Sequence, residues 1–143
     1  MVDKTLVNEV KDMVNLGANK VEPGDLLKSF ELIKQLSQEV DFLKEDVEES
    51  DITAQIGYTD LERMYWIKLS NGRVEYGEGK IKKPSFSISG TKEVILGLFL
   101  GELDANIIAP IGKLKVGGNP KIIRVFQEIY EDSIEIFKEK YLK

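Results

Sequence analysis

Apolar positions recur at two different periods along the chain, and the change from one to the other divides it. Near the start, Leu6, Val10, Met13 and Val14 fall on one face of a helix that Asp3 can cap and Gly17 can end. The Glu-Pro-Gly-Asp stretch at 22–25 interrupts this pattern and offers Asp25 as a second N-cap. From there Leu26, Phe30, Ile33, Leu36, Val40, Leu43 and Val47 return at spacings of three and four, which predicts one long helix or two consecutive ones. The period then drops to two. Ile52, Ala54, Ile56 and Tyr58 alternate with polar or small residues, as do Tyr65, Ile67 and Leu69, then Val74 and Tyr76. Asn71-Gly72 between the second and third runs is a type I′ hairpin signal, since both turn positions need positive φ. These runs predict a three-stranded antiparallel meander with helices over one face. Met64 and Trp66 then fall on the less covered face, where a Trp either marks a partner surface or is partly covered by its neighbours.

The second half mixes both periods. Phe86 and Ile88 alternate with Ser85, Ser87 and Ser89, which predicts a strand with one buried face. Thr91 can cap a helix whose residues Val94, Ile95, Leu96, Leu98, Phe99 and Leu100 are apolar nearly all the way round, with Gly101 at its end. A helix without a polar side has to be covered on several sides, or face something apolar that is not protein. Asp104 can cap a short helix over 105–109 that Pro110 closes. Leu114 and Val116 opposite Lys113 and Lys115 predict a half-buried last strand, broken by Gly117-Gly118. Asn119 and Pro120 are the N-cap and first residue of a terminal helix that runs to about Tyr141, or ~33 Å. Its apolar stripe, from Ile123 and Phe126 through Tyr130 to Tyr141, is too wide for a single contact.

Composition narrows the function classes. A chain of 143 residues suits one domain with an ordinary core. It has no cysteine and no histidine, so there is no disulfide framework and the commonest general base and metal ligand are missing. Lys113 and Lys115 are available as bases but alternate outward on a strand, and no constellation of nucleophile, base and oxyanion donors is visible. No catalysis, cofactor or metal is expected. The acidic run at Glu45, Asp46, Glu48, Glu49 and Asp51 lacks the glycine turn and alternating ligands of a calcium loop and reads as a solvated helix end. A net charge of -5 and a pI of about 4.9 argue against nucleic acid as a partner. No secretory signal pattern opens the sequence, and the longest apolar run, 94–100, is far short of the ~18–20 residues that span a bilayer. A cytoplasmic location is expected.

Several segments, taken together and in order, carry a resemblance. They are Tyr65-Trp-Ile-Lys-Leu-Ser-Asn-Gly72, Phe86-Ser-Ile-Ser89, Leu98-Phe-Leu-Gly101-Glu-Leu103, and Gly112-Lys-Leu-Lys-Val-Gly117 followed by Asn119. With them, the chain resembles the sterol carrier protein type 2 family, or non-specific lipid transfer proteins, over residues 25–130. The resemblance implies an α+β fold: a five-stranded, mostly antiparallel mixed sheet with helices packed on one face and an apolar tunnel between them. Residues 1–23 then form an added N-terminal helical arm, and 24–143 the lipid-binding domain. It also implies non-catalytic binding and transfer of an apolar ligand (fatty acid, fatty acyl-CoA, phospholipid or sterol-like), with transient membrane contact. Carried over by position, the tunnel walls are 94–100, 105–109 and the early part of 120–141. The expected lining residues are Leu98, Phe99, Ile107, Ile108 and Phe126, joined by Phe86 and Ile88 from the buried face of the strand. Asn106, Pro110, Glu102 and Asp104 depart from an all-apolar wall and bear on the width and depth of any tunnel. The alternative is a closed-core interaction or oligomerisation domain, for instance a homodimer through the Met64/Trp66 sheet face.

Overall fold

A computed structural model describes residues 2–142. Helix α1 (Lys4–Leu16) starts where the Asp3 carboxylate accepts from the Thr5 N–H at 2.8 Å, and it ends at Gly17. Two short 3-10 turns lead to α2 (Leu26–Glu39). Asp25 precedes α2 without capping it; its carboxylate pairs with Lys28 at 3.1 Å instead. The long apolar stripe is split at Val40, whose extended backbone separates α2 from α3 (Asp41–Glu48), so two consecutive helices carry it.

Strands β1 (Asp51–Tyr58), β2 (Arg63–Ser70) and β3 (Arg73–Glu78) form the expected meander, and β4 (Phe86–Gly90) follows. Asn71 and Gly72 take φ of 54° and 77°, as the hairpin requires. Then come α4 (Lys92–Phe99), α5 (Ala105–Ile108), β5 (Lys115–Gly118) and α6 (Pro120–Tyr141). The sheet order is β3-β2-β1-β4-β5, with β1 and β4 parallel and every other pair antiparallel. The inner face carries Ile56, Tyr65, Ile67, Leu69, Phe86 and Ile88, all buried against the helices. Each such side chain contributes roughly 1.5–3 kcal/mol relative to exposure. The outer face is polar at Lys68, Arg73 and Glu75. Trp66 lies there against its register partner Gly77, where a Cβ would come within 3.0 Å of the indole. The neighbouring strand therefore half-covers Trp66, while Met64 stays 40% exposed.

A parallel β1/β4 pair obliges the chain to cross from the β3 edge to the far side of β1. Residues 79–85 make that crossing over Gln55, which points away from the helices yet is buried. Its Nε2 donates to the carbonyls of Tyr65 at 2.8 Å and Gly79 at 3.0 Å, and its Oε1 accepts from the Ile81 N–H at 2.7 Å. Helices α2 and α3 cover the β2/β3 side, α4 sits on β4, and α6 crosses α2, α3 and α4. Helix α1 packs on α2 and adds its apolar face to the same core. The turn after it is tied in by the Ala18 N–H to Glu102 Oε2 at 2.9 Å and by Lys92 Nζ donating to the Val21 carbonyl at 2.7 Å.

The last strand differs from expectation. It begins at Lys115 and runs through both glycines, all four residues exposed, and only Leu114 before it is buried. Gly118 pairs with Phe86 at φ +126°, and a Cβ there would lie 2.6 Å from Phe86 Cβ and 2.7 Å from the Ser85 carbonyl oxygen. The glycine lets the edge strand approach β4 rather than ending it.

Candidate functional site

The helix with no polar side is covered nearly all round. Thr91 Oγ1 accepts from the Val94 N–H at 3.3 Å to start α4, and Ile95, Leu96, Leu98 and Phe99 are at most 3% exposed. Sheet, α2, α6 and the 18–20 turn supply most of the cover. Leu103 supplies the rest by folding back on Gly97, where a Cβ would meet its Cδ1 at 2.8 Å.

One flank, at Leu98, borders a cleft of about 420 Å³ that opens to solvent. Ile88, Val116 and Gly118 of the sheet form its floor, and Ala105, Asn106, Ala109 and Pro110 of α5 and the following turn form one side. Pro120, Ile123, Phe126, Gln127 and Tyr130 of α6 form the other. The back wall is aromatic. Phe126 lies 5.3 Å from Phe86 and 5.6 Å from Tyr130 between ring centroids, and Phe99 lies 4.9 Å from Tyr130 and 5.5 Å from Phe30. Tilted and edge-on pairs of this kind add ~0.5–1.5 kcal/mol each beyond their burial and hold the wall in one arrangement.

Of the residues expected at the site, Ile88, Leu98 and Phe126 line the cleft. Phe86 and Phe99 are buried behind Phe126 as its ring partners. Ile108 is buried on α5, whereas Ile107 is 65% exposed and is not part of the lining. Tyr130, Ile123 and Gln127 were not singled out for the site. Ile123 and Tyr130 belong to the α6 stripe, and Gln127 stands one turn after Ile123, so the helical period contained the signal. Ala105 and Ala109, at i and i+4, are the small positions that leave the volume unfilled.

The polar groups of the cleft are neutral. The lining residues with polar side-chain atoms are Asn106, Gln127 and Tyr130, and no charged side chain lines it. Burial pushes the Tyr130 hydroxyl above the usual tyrosine range, and the nearby Glu131 and Asp104 carboxylates push it the same way, so it stays a protonated donor. Gln127 Nε2 donates to Glu131 Oε2 at 3.3 Å, just outside the cleft. A larger hollow of about 600 Å³ lies beside β4 and has Glu93, Lys113 and Lys115 in its lining, and a groove of about 510 Å³ holds Glu102, Asp104, Glu131, Glu135 and Glu139. Burying an alkyl chain in either would desolvate charges, which the 420 Å³ cleft avoids. Among the described residues no three His, Cys, Asp or Glu side chains converge as a metal site needs, and no helix is long and apolar enough to cross a membrane.

Fold and cleft define an α+β domain with an apolar recess between the sheet edge and its covering helices. The chain belongs to the SCP-2 sterol transfer family, which matches residues 27–131. Among solved structures, the sterol carrier protein domain 2 of Helicoverpa armigera is similar at 15% identity and a TM-score of 0.63, covering 78% of this chain and 89% of that one. A palmitated SCP2L2 from Aedes aegypti is similar at 17% identity and a TM-score of 0.54, over 71% of this chain and 90% of that one. The inverting sec-alkylsulfatase Pisa1 from Pseudomonas sp. is similar at 20% identity and a TM-score of 0.53 over 62% of this chain. The chain spans 14% of the length of that sulfatase and of its double mutant. At these identities the likeness is one of fold. No curated protein matches the chain in sequence.

Proposed function

We propose that the protein binds and transfers a lipid, without altering it, in the cleft between β4, β5, α4, α5 and the first half of α6. The observation that carries this reading is a recess of about 420 Å³ with apolar walls and only neutral polar atoms. That volume lies in the range of small-molecule sites, about 300–1,000 Å³. Ile88, Leu98 and Phe126 contact the alkyl portion, with Phe86, Phe99 and Ile108 shaping the wall behind them. Each buried CH₂ contributes ~0.8 kcal/mol, so a 14-carbon chain offers roughly 11 kcal/mol before ordering costs, without a charged anchor. Asn106, Gln127 and Tyr130 then bind a polar end by neutral hydrogen bonds. They do not combine as nucleophile and base, which supports carriage over catalysis. Fatty acid, acyl-CoA, phospholipid and sterol-like cargo all suit this chemistry. The family's description as sterol transfer and the palmitated mosquito neighbour support the same reading. Residues 1–23 serve as an arm that braces the lipid-binding domain at 24–143.

Native mass spectrometry and titration with a fluorescent fatty acid test the proposal. The wild type is expected to take up one ligand per chain. Ala109→Phe, which projects a ring into the cleft from α5's end, should weaken uptake about tenfold by displacing the contact of about two methylenes. Circular dichroism should be unchanged. A wild type that carries no small adduct and takes up no fatty acid would sink the proposal.

A further inference from the structure

The side of the cleft that carries α5, residues 102–111, is thin and lightly secured. Gly101 at φ 77° and Gly112 at φ 83° bound it. Ile108 is its one buried side chain, and Ile107 and Ile111 stand 65% exposed. Beyond Leu103 its backbone hydrogen bonds close on the wall itself: Ile108 N–H donates to the Asp104 carbonyl at 3.1 Å, Ala109 to Ala105 at 3.0 Å, and Lys113 to Ile108 at 3.2 Å. Ala105 and Ala109 border the 420 Å³ cleft, Glu102 and Asp104 the 510 Å³ groove, and Leu103 and Gly112 the 600 Å³ hollow. Open space thus lies on three sides of it. A segment with so little buried apolar contact opens locally at small cost. Its root, by contrast, is held firmly. The Glu102 and Leu103 N–H groups both donate to the Gly97 carbonyl, at 2.8 and 3.2 Å, which folds the root onto the end of α4. Glu102 Oε2 then accepts from the Ala18 N–H at 2.9 Å, across 84 positions of sequence. The same turn receives Lys92 Nζ at the Asn19 carbonyl (3.0 Å) and the Val21 carbonyl (2.7 Å), so it grips α4 at both ends. Ala18 and Val21 are each 1% exposed, which makes the turn a fixed post, and it lies outside the family match at 27–131.

We propose that the turn after α1 latches this wall: the Ala18–Glu102 hydrogen bond fixes the root, residues 104–111 swing between that root and Gly112, and the latch sets how often the cleft opens. Hinges of this kind are a few residues at the ends of elements, as Gly101 and Gly112 are here. Glu102 is then a positioning residue. It lines the neighbouring groove and not the cleft, so it acts on cargo only through the wall it holds. The N-terminal arm gains a role beyond bracing the core, because the turn that ends it is also the post to which the movable side of the cleft is tied. That opening of the wall admits and releases cargo rests on the lipid-carrier reading; the latch itself does not.

Hydrogen exchange without ligand, together with stopped-flow uptake and release of a fluorescent fatty acid, tests it. Glu102→Ala changes an exposed side chain, so the fold should persist. It should speed exchange of the amides of 104–113 about tenfold, the low end for a hydrogen bond to a charged group, and leave β1 and β2 as they are. Glu102→Gln keeps a side-chain carbonyl as acceptor and should restore most of the protection. Glu139→Ala, which takes a carboxylate from the same groove without touching the latch, should exchange as the wild type does. Entry and exit both need the wall open, so Glu102→Ala should raise the association and release rates together, each about tenfold, with Kd within about threefold of the wild type. The latch is overturned if exchange at 104–113 does not change, or if it rises across the whole chain, which would mark a contact that only stabilises the fold. It is equally overturned if Glu102→Gln behaves as Glu102→Ala, if Glu139→Ala does so, or if release alone speeds. The two ideas fail separately: the expected exchange in a protein that takes up no fatty acid removes carriage alone, and normal uptake with unchanged exchange in Glu102→Ala removes the latch alone.

Discussion

A methyl group at position 118 would lie 2.6 Å from Phe86 Cβ and 2.7 Å from a backbone oxygen, on a residue held at φ +126°. Both the clash and the strained φ act against it, each at about 1–3 kcal/mol. Gly118→Ala is therefore expected to destabilise the protein by about 2–6 kcal/mol in urea denaturation, or else to free β5 from β4 and abolish lipid uptake while the helices persist. In the sequence, the glycine pair looks like the end of a strand, because a missing side chain reads the same whether it frees the backbone or admits a neighbour. Only the partner, Phe86, distinguishes the two. Ile107 misleads for a related reason: a helix of four residues has too little periodicity to tell its inner face from its outer one, so Ile107 and Ile108 look alike in sequence.

Among the elements, helices were the most legible. Asp3, Thr91, Asp104 and Asn119 each cap the helix they were expected to cap, with side-chain oxygens accepting from the first-turn N–H groups. The α6 stripe proves wide because the helix meets α2, α3 and α4 and also walls the cleft. Which part of it faces a recess is not encoded in its period, since cleft-lining and core positions are equally apolar. Polar residues at the edge of that stripe carry a titration signature. Burial raises the Glu131 carboxyl above its usual 4.5; the nearby Asp104, Asp132 and Glu128 push it the same way, and the Gln127 hydrogen bond opposes the shift. A carboxyl raised in the fold contributes stability below the unfolded value, and that contribution is lost as pH rises through the folded one. Ionised Glu131 thus costs the fold at neutral pH. Glu131→Gln should melt at a higher temperature than the wild type at pH 7, and the gap should close as pH falls below 4.5.

At the scale of the whole molecule, alternation gave strands without directions. The period of two is identical in parallel and antiparallel pairs, so the mixed sheet came from the family resemblance, and the structure has it in the order β3-β2-β1-β4-β5. Gln55 was invisible for the same reason. At an outward position a glutamine reads as solvated, yet here it holds the crossing strap with two hydrogen bonds, to the Gly79 carbonyl and from the Ile81 N–H, and donates a third to the Tyr65 carbonyl of β2. The sheet is unevenly secured as a result: β1 is paired on both sides and buried, while β5 is an exposed edge of four residues. Hydrogen exchange should show the amides of β5 and α5 opening locally, at least about tenfold faster than those of β1 and β2, and slowing when ligand is bound.

That exposed fifth strand makes one side of the container pliant. On the carrier reading proposed above, the girth of a guest would be limited by how far a short ribbon, fastened along a single margin, can lift away from Phe86 and Ile88. Slender acyl tails should slip in with little displacement. Fused-ring molecules should demand a hinge-like yielding there, so selectivity among cargoes should respond to stiffening of this ribbon more than to changes in the aromatic wall.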